Sequence, residues 1–433
     1  MNKTAKSWRP QAGNRTFRAY KVELDPGKGQ VSDFMRYADV ARWTWNYAVA
    51  RHKEICQWNR LPTVHMKYPN GQALHKEIVR LKHTTHPWLA SVSKCVPQEA
   101  LRDFDQAIRR MLDSRFGHPK FKSKKWAKRS FTLTYIDPNH PQIHVEERRI
   151  KLPTLGWIRL KEHGYIPTAG ARTMNATVSE TAGRWFVSVQ VADRVRPRPL
   201  PRDPEIFGVD VGVMRGNLLV VSNAEGDKVR VFTSPRALRT NERRLKRLQR
   251  SVSRKQKGSS NRGRAVRRLE RLHFRIANVR KDALHKATTQ LAKNKSIFVV
   301  ENLAVRAMMG NHRLAKSLAD ASISEAVRQL RYKGTWYGSG VIEANRSYPS
   351  SQLCSGCGKK HPQMRALDLR VLRCQCGLVL GRDLNAARNL ARWPTVSRTL
   401  ETPVRAERLQ AVESPLVIGD EAGKNLPTRG RLL

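Results

Sequence analysis

Apolar and polar positions in the first third of the chain follow a strand-like period and then a helix-like one. Residues 16–24 alternate sufficiently to predict a strand that ends at a Pro-Gly pair. Residues 31–52 repeat apolar positions at intervals of three and four, which predicts an amphipathic helix with Ser32 as its N-cap. A second helix of this kind is predicted to begin near Pro97 and to end before Gly117.

Short alternating runs return between residues 130 and 191, separated by proline and glycine. They predict a small β-rich unit with which the first strand pairs. The proline-rich residues 194–203 are interpreted as a linker. The dense basic stretch 118–129 is either a solvated loop or, because Phe121 and Trp126 interleave with its cations, a loop that tracks a nucleic-acid backbone.

Beyond the linker the pattern changes to that of a different domain. Residues 206–213, 217–222 and 228–232 predict three consecutive strands joined by tight turns. Two long helical arms are predicted at residues 236–257 and 262–293.

The remaining elements are predicted in the order strand, helix, strand and helix. The strand covers residues 297–303, a helix covers 314–336, and a further strand covers 340–344. The last helix is predicted to end before Pro394, because proline removes a backbone donor. Residues 395–433 have weak periodicity and are expected to be extended or disordered.

The charge of the chain points to an anionic partner. There are 83 Lys and Arg residues against 35 Asp and Glu, a net charge of +48. Such a chain repels itself until phosphates neutralise it, so nucleic acid is the expected partner, and an acidic membrane surface is much less favoured. Between residues 236 and 286 there are 19 cations and three acids, whereas a solvated helical hairpin would carry mixed signs.

The predicted nucleic-acid contacts come from the basic stretch and the two arms. They are Lys120, Lys122, Lys124, Lys125, Arg243, Arg244, Arg247, Arg254, Arg267, Arg268 and Arg271. The first 18 residues lack an apolar signal core, and no run of about 18 apolar residues occurs. We therefore expect a cytoplasmic protein.

Three carboxylates stand in apolar contexts despite the scarcity of acids. Asp210 and Glu301 lie in or at the end of predicted buried strands, and Asp383 lies on the last helix. A buried strand has little use for a carboxylate unless a cation meets it there. The element order is that of an RNase H-like core, in which these side chains would meet at one sheet edge and hold two Mg²⁺ ions for phosphodiester hydrolysis.

Four of the six cysteines have the spacing of a metal site. Cys354, Cys357, Cys374 and Cys376 offer four thiolates to one structural Zn²⁺ ion. Disulfides are the alternative, and a reducing compartment disfavours them. His361 lies nearby and could replace one ligand, whereas Cys56 and Cys95 stand alone and are interpreted as packing residues.

Four segments together resemble a known family. They are Gly208-Val209-Asp210-Val211-Gly212, Val299-Val300-Glu301-Asn302-Leu303, the segment from Ser350 to Gly358, and Arg382-Asp383 followed by Asn385-Ala386-Ala387. These segments resemble the RuvC nuclease and zinc-ribbon motifs of transposon-encoded TnpB proteins and of compact type V CRISPR effectors. The resemblance covers about residues 208–390, with weaker features upstream.

The resemblance implies an RNA-guided DNA endonuclease. Asp210, Glu301 and Asp383 would be its catalytic Mg²⁺ ligands, with Asn385 as their neighbour. A guide RNA would be held by the basic arms and the amino-terminal half, the protein would read a short motif beside the target, and base pairing would supply sequence specificity. The expected partners are guide RNA and double- and single-stranded DNA, in a monomeric ribonucleoprotein.

The implied architecture is a bilobed, multidomain mixture of α/β and α+β structure. A β-rich, barrel-like wedge domain would comprise residues 1–30 and 130–195, with a helical recognition domain at 31–129. The RuvC-like RNase H-like domain would comprise 205–350 and 381–394. A zinc-ribbon insertion that binds target nucleic acid would occupy 351–380.

Two positions depart from the family pattern, and several functions stay open. The second cysteine pair has one intervening residue where two are usual, and Gly381 stands where an acid is common. The alternatives are a compact type V CRISPR effector, a guide-dependent DNA-binding protein without cleavage, and a basic RNA-packaging or ribosome-associated protein. The last of these does not account for three carboxylates in matching motifs.

Overall fold

The chain folds into two compact units in a computed structural model. The structure describes residues 16–113, 117–125, 127–134, 142–168, 172–193, 199–212, 216–308, 310, 318, 322–366 and 368–400. The first unit comprises Met1–Leu200, Pro235–Asn294 and Gln329–Ser339, and the second comprises Pro201–Ser234, Lys295–Arg328 and Gly340–Leu433. The predicted mixture of α and β structure is confirmed.

The first unit contains a seven-stranded sheet. Its strands are β1 (Thr16–Asp25), β2 (Ser130–Thr134), β3 (His144–Val145), β4 (Arg149–Leu152), β5 (Gly156–Leu160), β6 (Arg172–Thr181) and β7 (Arg184–Asp193). The order is β2-β6-β7-β1-β5-β4-β3, and neighbouring strands run antiparallel. As the pattern predicts, β1 joins the later strands.

The expectation of a barrel-like sheet is wrong. Strands β2 and β3 are the two edges of the sheet, and over the described part of the chain no pairing joins them. Strand β3 has only two residues, so it offers too few backbone groups to close the sheet on the ten-residue strands at its centre. The sheet is therefore open.

Three helices, α1 (Lys28–Trp58), α2 (Gly71–His83) and α3 (Cys95–Leu112), share one core with this sheet. Helices α1 and α3 pack against β2, whereas α2 packs against α3. Phe34 and Tyr37 of α1 are fully buried, and their rings contact Phe131 of β2. This contact shows how the apolar stripe of α1 joins the β-rich unit in one core.

The helix boundaries differ from the predicted ones. Helix α1 begins at Lys28, with Gly27 and not Ser32 as its N-cap. The Gly27 backbone amide donates a hydrogen bond to the side-chain oxygen of Gln30 in the first turn. Helix α3 begins at Cys95, two residues before Pro97, which occupies its first turn. Helix α2 was not predicted, since its short apolar stripe contains only two fully buried large side chains, Leu74 and Ile78.

The basic arms are helical, as predicted. The first arm consists of α4 (Ala237–Thr240) and α5 (Glu242–Ser253), and the second is the 33-residue α6 (Ser260–Ala292). A small apolar contact of Ala237, Leu272 and Ile276 joins them. Helix α5 has no buried residue, so most of its surface is available to a partner.

The second unit contains a five-stranded mixed sheet. Its strands are β8 (Ile206–Val211), β9 (Asn217–Ser222), β10 (Val229–Thr233), β11 (Ile297–Val300) and β12 (Gly340–Glu343), in the order β10-β9-β8-β11-β12. Strands β8, β9 and β10 run antiparallel, whereas β11 runs parallel to both β8 and β12. The predicted strands at residues 206–213, 217–222 and 228–232 are thereby confirmed to within two residues.

The remaining elements are helices and a small hairpin. The helices are α7 (Val305–Met308), α8 (Ile323–Tyr337) and α9 (Arg382–Leu400), and the hairpin is β13 (Val371–Arg373) with β14 (Val379–Gly381). Two 3₁₀ turns occur at Pro87–Ser91 and Pro362–Arg365. Among the described residues no helix is both long and apolar enough to cross a bilayer.

The last helix runs through Pro394, so the prediction that it stops there is wrong. A proline inside a helix removes one backbone hydrogen bond and does not by itself exclude helical geometry on either side. The predicted tail therefore begins with six helical residues, 395–400. The rest of it, 401–433, lies outside the described residues.

Candidate functional site

Two of the predicted site residues meet at one edge of the five-stranded sheet. Asp210 is the penultimate residue of β8, and Glu301 immediately follows β11. The two strands are parallel neighbours, with Val209 opposite Val300 in the register. Because parallel strands end at the same edge, the two carboxylates are brought together although they are 91 positions apart in the sequence.

The third carboxylate reaches this edge on helix α9. Asp383 lies in the first turn of α9, and α9 packs against β8 at Gly208. A methyl group on Gly208 would overlap the carbonyl oxygen of Ala387 and the amide nitrogen of Ala391. Only glycine lets the helix approach this closely, so Gly208 sets the distance between Asp383 and the sheet.

The proximity of the three carboxylates is visible in their electrostatics. Burial first, and then the charges of Glu301 and Asp383, raise the pKa of Asp210 well above its usual range. Burial also raises the pKa of Glu301, against a hydrogen bond from Ser350 and the charge of Arg382. The charges of Arg370 and Arg382 therefore do not offset the burial and mutual repulsion of the carboxylates. A bound cation would reduce that repulsion.

Asp383 is also held by two side chains that sequence reasoning missed. A guanidinium nitrogen of Arg370 lies 2.9 Å from Asp383 Oδ1 and 3.0 Å from Oδ2. The side-chain amide of Asn217, the first residue of β9, donates to Asp383 Oδ2 at 3.0 Å. Neither residue belongs to a sequence motif that would have identified it. Arginine is common throughout this basic chain, and asparagine is common at the start of a strand.

Glu301 has a hydroxyl partner, Ser350. The Ser350 hydroxyl donates to Glu301 Oε1, and the Ser350 side chain is almost fully buried. Ser350 opens the segment that resembles the zinc-ribbon motif, so that motif was a signal that could have identified it. The segment before the cysteines thereby contacts the carboxylate site directly.

The four predicted cysteines form one compact cluster. Their sulfur atoms all lie within 4.8 Å of one another, with 3.6 Å between Cys354 and Cys376 and 3.5 Å between Cys357 and Cys374. Within the described ranges this is the only group of three or more possible ligands so closely spaced, and the three carboxylates are spread more widely. The cluster indicates a structural zinc site.

Hydrogen bonds to one of the sulfur atoms, that of Cys354, favour its thiolate form. Burial acts in the opposite direction, but backbone amides of Cys357 and Gly356 lower the pKa of Cys354 to about 7. His361 Nε2 lies 3.3 Å from the Cys374 sulfur, so the histidine contacts a ligand from outside the group of four. The single residue between Cys374 and Cys376 does not prevent the four sulfurs from meeting.

Helix α9 holds the segment before the cysteines through two buried asparagines. Asn385 accepts from the Ser355 amide at 2.9 Å and donates to the Leu353 carbonyl at 2.7 Å. Asn389 donates to the carbonyl of Ser350 at 2.7 Å. Asn385 thus contacts the cysteine-bearing segment, and its predicted role beside the carboxylates stays a prediction.

The predicted nucleic-acid contacts fall into two groups. Seven of them lie exposed on the arms: Arg243, Arg244, Arg247, Arg254, Arg267, Arg268 and Arg271. In the basic loop, Lys120, Lys124 and Lys125 are exposed, and Lys124 lies 3.5 Å from Asp39. Lys122 packs over the Trp45 ring at 3.6 Å, and burial lowers its pKa, so its ammonium group contributes to the fold.

Three family models match the chain. A model described as a probable transposase matches residues 176–331, one described as a Cas12f1-like TNB domain matches 324–390, and one described as a helix-turn-helix domain matches 16–60. The last stretch folds as strand β1 followed by the single long helix α1.

A relative from Streptomyces pristinaespiralis, named as a candidate RNA-guided DNA endonuclease, is 32% identical over 86% of this chain and 88% of its own length. The chain belongs to the TnpB family. A second TnpB relative, InsQ of Escherichia coli K12, carries a similar name and is 31% identical over 87% of this chain and 92% of its own length.

The TnpB fold also extends to a solved structure. A Cas12f1 chain, seen in a complex with single-guide RNA and target DNA, has a TM-score of 0.56 and covers 87% of this chain and 99% of its own. Only 11% of the aligned residues are identical, so this likeness concerns the fold.

Proposed function

We propose that this TnpB-family chain is an RNA-guided DNA endonuclease that hydrolyses DNA phosphodiesters in one RuvC-like site. The observation that carries the proposal is the meeting of Asp210, Glu301 and Asp383 at one edge of the five-stranded sheet. The strand order, three antiparallel strands followed by two parallel ones, supports an RNase H-like core. The names of the relatives support guide-directed cleavage of DNA.

The donor set fits magnesium. The three carboxylates offer hard oxygen ligands, and the mutual repulsion that raises the pKa of Asp210 favours a divalent cation among them. Asp210, Glu301 and Asp383 would hold two Mg²⁺ ions, which when bound supply an activated water and stabilise the leaving oxygen.

The chain's own residues position these ligands. Asn217 and Arg370 fix both oxygens of Asp383, and Ser350 fixes one oxygen of Glu301. The Arg370 and Arg382 guanidinium groups also bring positive charge to a site that a phosphodiester must approach. Fixed ligands and fixed charges reduce the reorganisation needed when the scissile phosphate arrives.

A structural Zn²⁺ ion would complete the second site. Cys354, Cys357, Cys374 and Cys376 are soft ligands in sufficient number for a closed tetrahedral site, which leaves no position for a reacting group. The zinc would therefore act through structure. It would hold the segment that carries Ser350 against α9 and Glu301.

The remaining domain assignments follow the same proposal. The open sheet and helices α1 to α3 would serve as the wedge and recognition domains, and residues 351–380 as the insertion that binds target nucleic acid. Exposed arginines of α5 and α6 would hold guide RNA. Base pairing to the guide would then select the DNA, after the protein reads a short neighbouring motif.

The proposal is tested by separating cleavage from binding. Asp210→Ala, Glu301→Ala and Asp383→Ala are expressed with native flanking DNA, and the RNA that co-purifies is sequenced. Each variant should lower Mg²⁺-dependent cleavage of both strands by about 1,000-fold or more, since ligand groups act as a unit. Affinity for guide and target should change by less than about threefold, and Asp227→Ala, an exposed carboxylate of the same unit, should cleave normally.

The possible results separate the alternatives. Wild-type protein that binds a specific RNA and its matching DNA without cutting would replace the nuclease with a guide-dependent binding protein. If wild-type protein cuts and one alanine variant cuts at a similar rate, that residue is not a metal ligand. Absence of any specific co-purified RNA would remove guide-directed function altogether.

A further inference from the structure

A cavity of about 690 Å³ lies in the first unit between helices α5 and α6 and the start of β7. Six guanidinium groups line it: Arg184, Arg244, Arg247, Arg268, Arg271 and Arg275. The rest of its lining is mainly apolar and includes Phe274 and Leu272. Apolar side chains beside so many cations suit a ligand that carries both negative charge and an apolar surface.

The positive charge of the cavity is unbalanced. No carboxylate lines the cavity, and over the described ranges only Arg184 has an ion-pair partner, Glu23 at 3.3 Å. Like charges grouped in one cavity repel one another until an anion enters. One phosphate cannot engage six guanidinium groups, so the charge fits a ligand with at least two neighbouring phosphates.

Phe274 gives the cavity a fixed aromatic surface. Its ring is half-buried, with the Phe186 ring 5.5 Å away and the Arg184 guanidinium 5.9 Å from its centre. Packing against Phe186 holds the ring in place while part of it lines the cavity. A fixed, partly exposed ring of this kind is suited to stacking on a nucleobase.

A second cavity continues the basic surface along α6. It has a volume of about 840 Å³ and shares Asn278 with the first. Lys21, Lys281 and Lys293 line it, together with the ion pair of Lys286 and Asp282. A strand that leaves the first cavity would therefore meet further cations on the same helix.

We propose that the cavity lined by the six arginines binds an unpaired, bent segment of the guide RNA, with two or more phosphates on the arginines and one base stacked on Phe274. This assignment rests on the proposed function and names one contact within it. A duplex keeps its bases stacked on each other and cannot place one on Phe274, whereas an RNA loop or bulge can. The Asn278 amide can in addition pair with a ribose 2′-hydroxyl, which DNA lacks.

The charge contacts are tested against control cations that already have an ion-pair partner. Arg271→Gln and Arg275→Gln remove cations that line the cavity, whereas Lys246→Gln and Lys228→Gln remove exposed, ion-paired cations that do not. Affinity for the co-purified RNA is measured at several salt concentrations. Each cavity variant should bind about tenfold more weakly and lower the salt slope by about one. Each control should bind within about threefold of wild type.

The stacking contact needs its own variant and a positional readout. Phe274→Leu should weaken RNA binding about fivefold or more and leave the salt slope unchanged, because stacking releases no counterions. Phe274→Tyr, which keeps an aromatic ring, should bind RNA as tightly as wild type. RNA carrying 4-thiouridine should cross-link on irradiation to the peptide that contains Phe274, and mass spectrometry identifies that peptide.

Three results would overturn the assignment. They are equal losses in the cavity and control variants, a cross-link that maps elsewhere, and competition by single-stranded DNA of the same sequence as strong as that of RNA. If Phe274→Leu fails to fold, the arginine variants and the cross-link to wild-type protein still test whether RNA binds in this cavity. Guided cleavage by wild type is measured in parallel, so failure of the proposed function is seen separately from failure of this contact.

Discussion

The cysteine cluster and the carboxylate site lie in the same unit, but the chain builds them in different ways. The four cysteines occupy positions 354–376, and short turns bring their sulfur atoms together. The carboxylates are 91 and 82 positions apart and meet only through two parallel strands and a packed helix. The first site depends on local spacing, whereas the second depends on the whole sheet.

The difference explains why one site is easier to recognise than the other. Cysteine spacing restricts the geometry of a site directly, because a few residues of backbone fix how four side chains can meet. Three isolated carboxylates do not define the geometry of a site until the strands and the helix that carry them are known to be neighbours. Ser350 connects the two sites, since it belongs to the cysteine segment and donates to Glu301.

The largest expected effect on folding comes from removing a sulfur ligand. Cys354→Ser or Cys376→Ser should lose one equivalent of Zn²⁺ and unfold the segment at 351–380, because structural zinc supplies about 10 kcal/mol or more to such small domains. Cleavage should fall at least about tenfold with it. Cys56→Ser, a half-buried thiol outside the cluster, is the control. Metal analysis that finds no zinc in fresh wild-type protein would contradict the zinc assignment.

The next effect concerns the packing that brings Asp383 to the sheet. Gly208→Ala places a methyl group against the backbone of α9 and should displace the helix, at a cost of about 1–3 kcal/mol in the free energy of unfolding. Cleavage should fall by about tenfold or more, since a displacement of about 1 Å is costly in catalysis. Zinc content should be unchanged.

Gly381→Ala is the matched control for this change. Gly381 directly precedes α9, and a methyl group there would meet nothing within 4 Å. Thermal melting and cleavage rates of both variants give the comparison. If Gly381→Ala lowers cleavage as much as Gly208→Ala, close helix packing is not what positions Asp383.

A smaller effect is expected from the hydroxyl that connects the two sites. Ser350→Ala should lower the cleavage rate about tenfold and raise the Mg²⁺ concentration needed, because groups that orient metal ligands typically contribute 10- to 100-fold. Ser350→Thr should recover most of the rate. Affinity for guide and target should not change.

Ser355→Ala controls for loss of a buried hydroxyl in the same segment. The Ser355 hydroxyl is buried and has no hydrogen-bond partner within the described structure. Its removal should leave the Mg²⁺ dependence unaltered. Equal behaviour of the two alanine variants would mean that the contact with Glu301 does not position that carboxylate.

The smallest effect is on stability without metal. The pKa of Asp210 is raised in the folded state, so between its unfolded value, about 3.9, and its folded value the folded chain binds more protons. Stability therefore falls as pH rises through this window. In chelator, Asp210→Asn should raise the melting temperature at pH 7–8 by about 2 °C or more and have little effect at pH 4.

Asp227 provides a control of opposite sign. A hydrogen bond from Asn223 lowers the pKa of this exposed carboxyl, so Asp227→Asn should give no stabilisation at neutral pH. Differential scanning fluorimetry across pH measures both variants. Stabilisation of equal size in the two would show that net charge, and not the environment of Asp210, is responsible.

Much of the fold follows from periodicity, but several features do not. The three strands before the arms, the helical arms and the pairing of β1 with the β-rich unit at residues 130–191 were predicted from apolar spacing. Helix α2 was not predicted because its stripe of buried apolar residues is short. The start of α1 was placed at the wrong residue because Gly27 and Ser32 are both possible N-caps, and only a small difference in free energy separates them.

The sequence alone determined that the chain is strongly basic, that four cysteines share one site, and that Asp210, Glu301 and Asp383 lie in the motifs of one family. Tertiary structure alone decided that the sheet of the first unit is open, that Arg370 and Asn217 meet Asp383, and that Ser350 meets Glu301. It also decided which arginines share a cavity with Phe274. The physical reason is that charge, spacing and periodicity are properties of neighbouring residues, whereas these contacts depend on strand order and helix packing between distant parts of the chain.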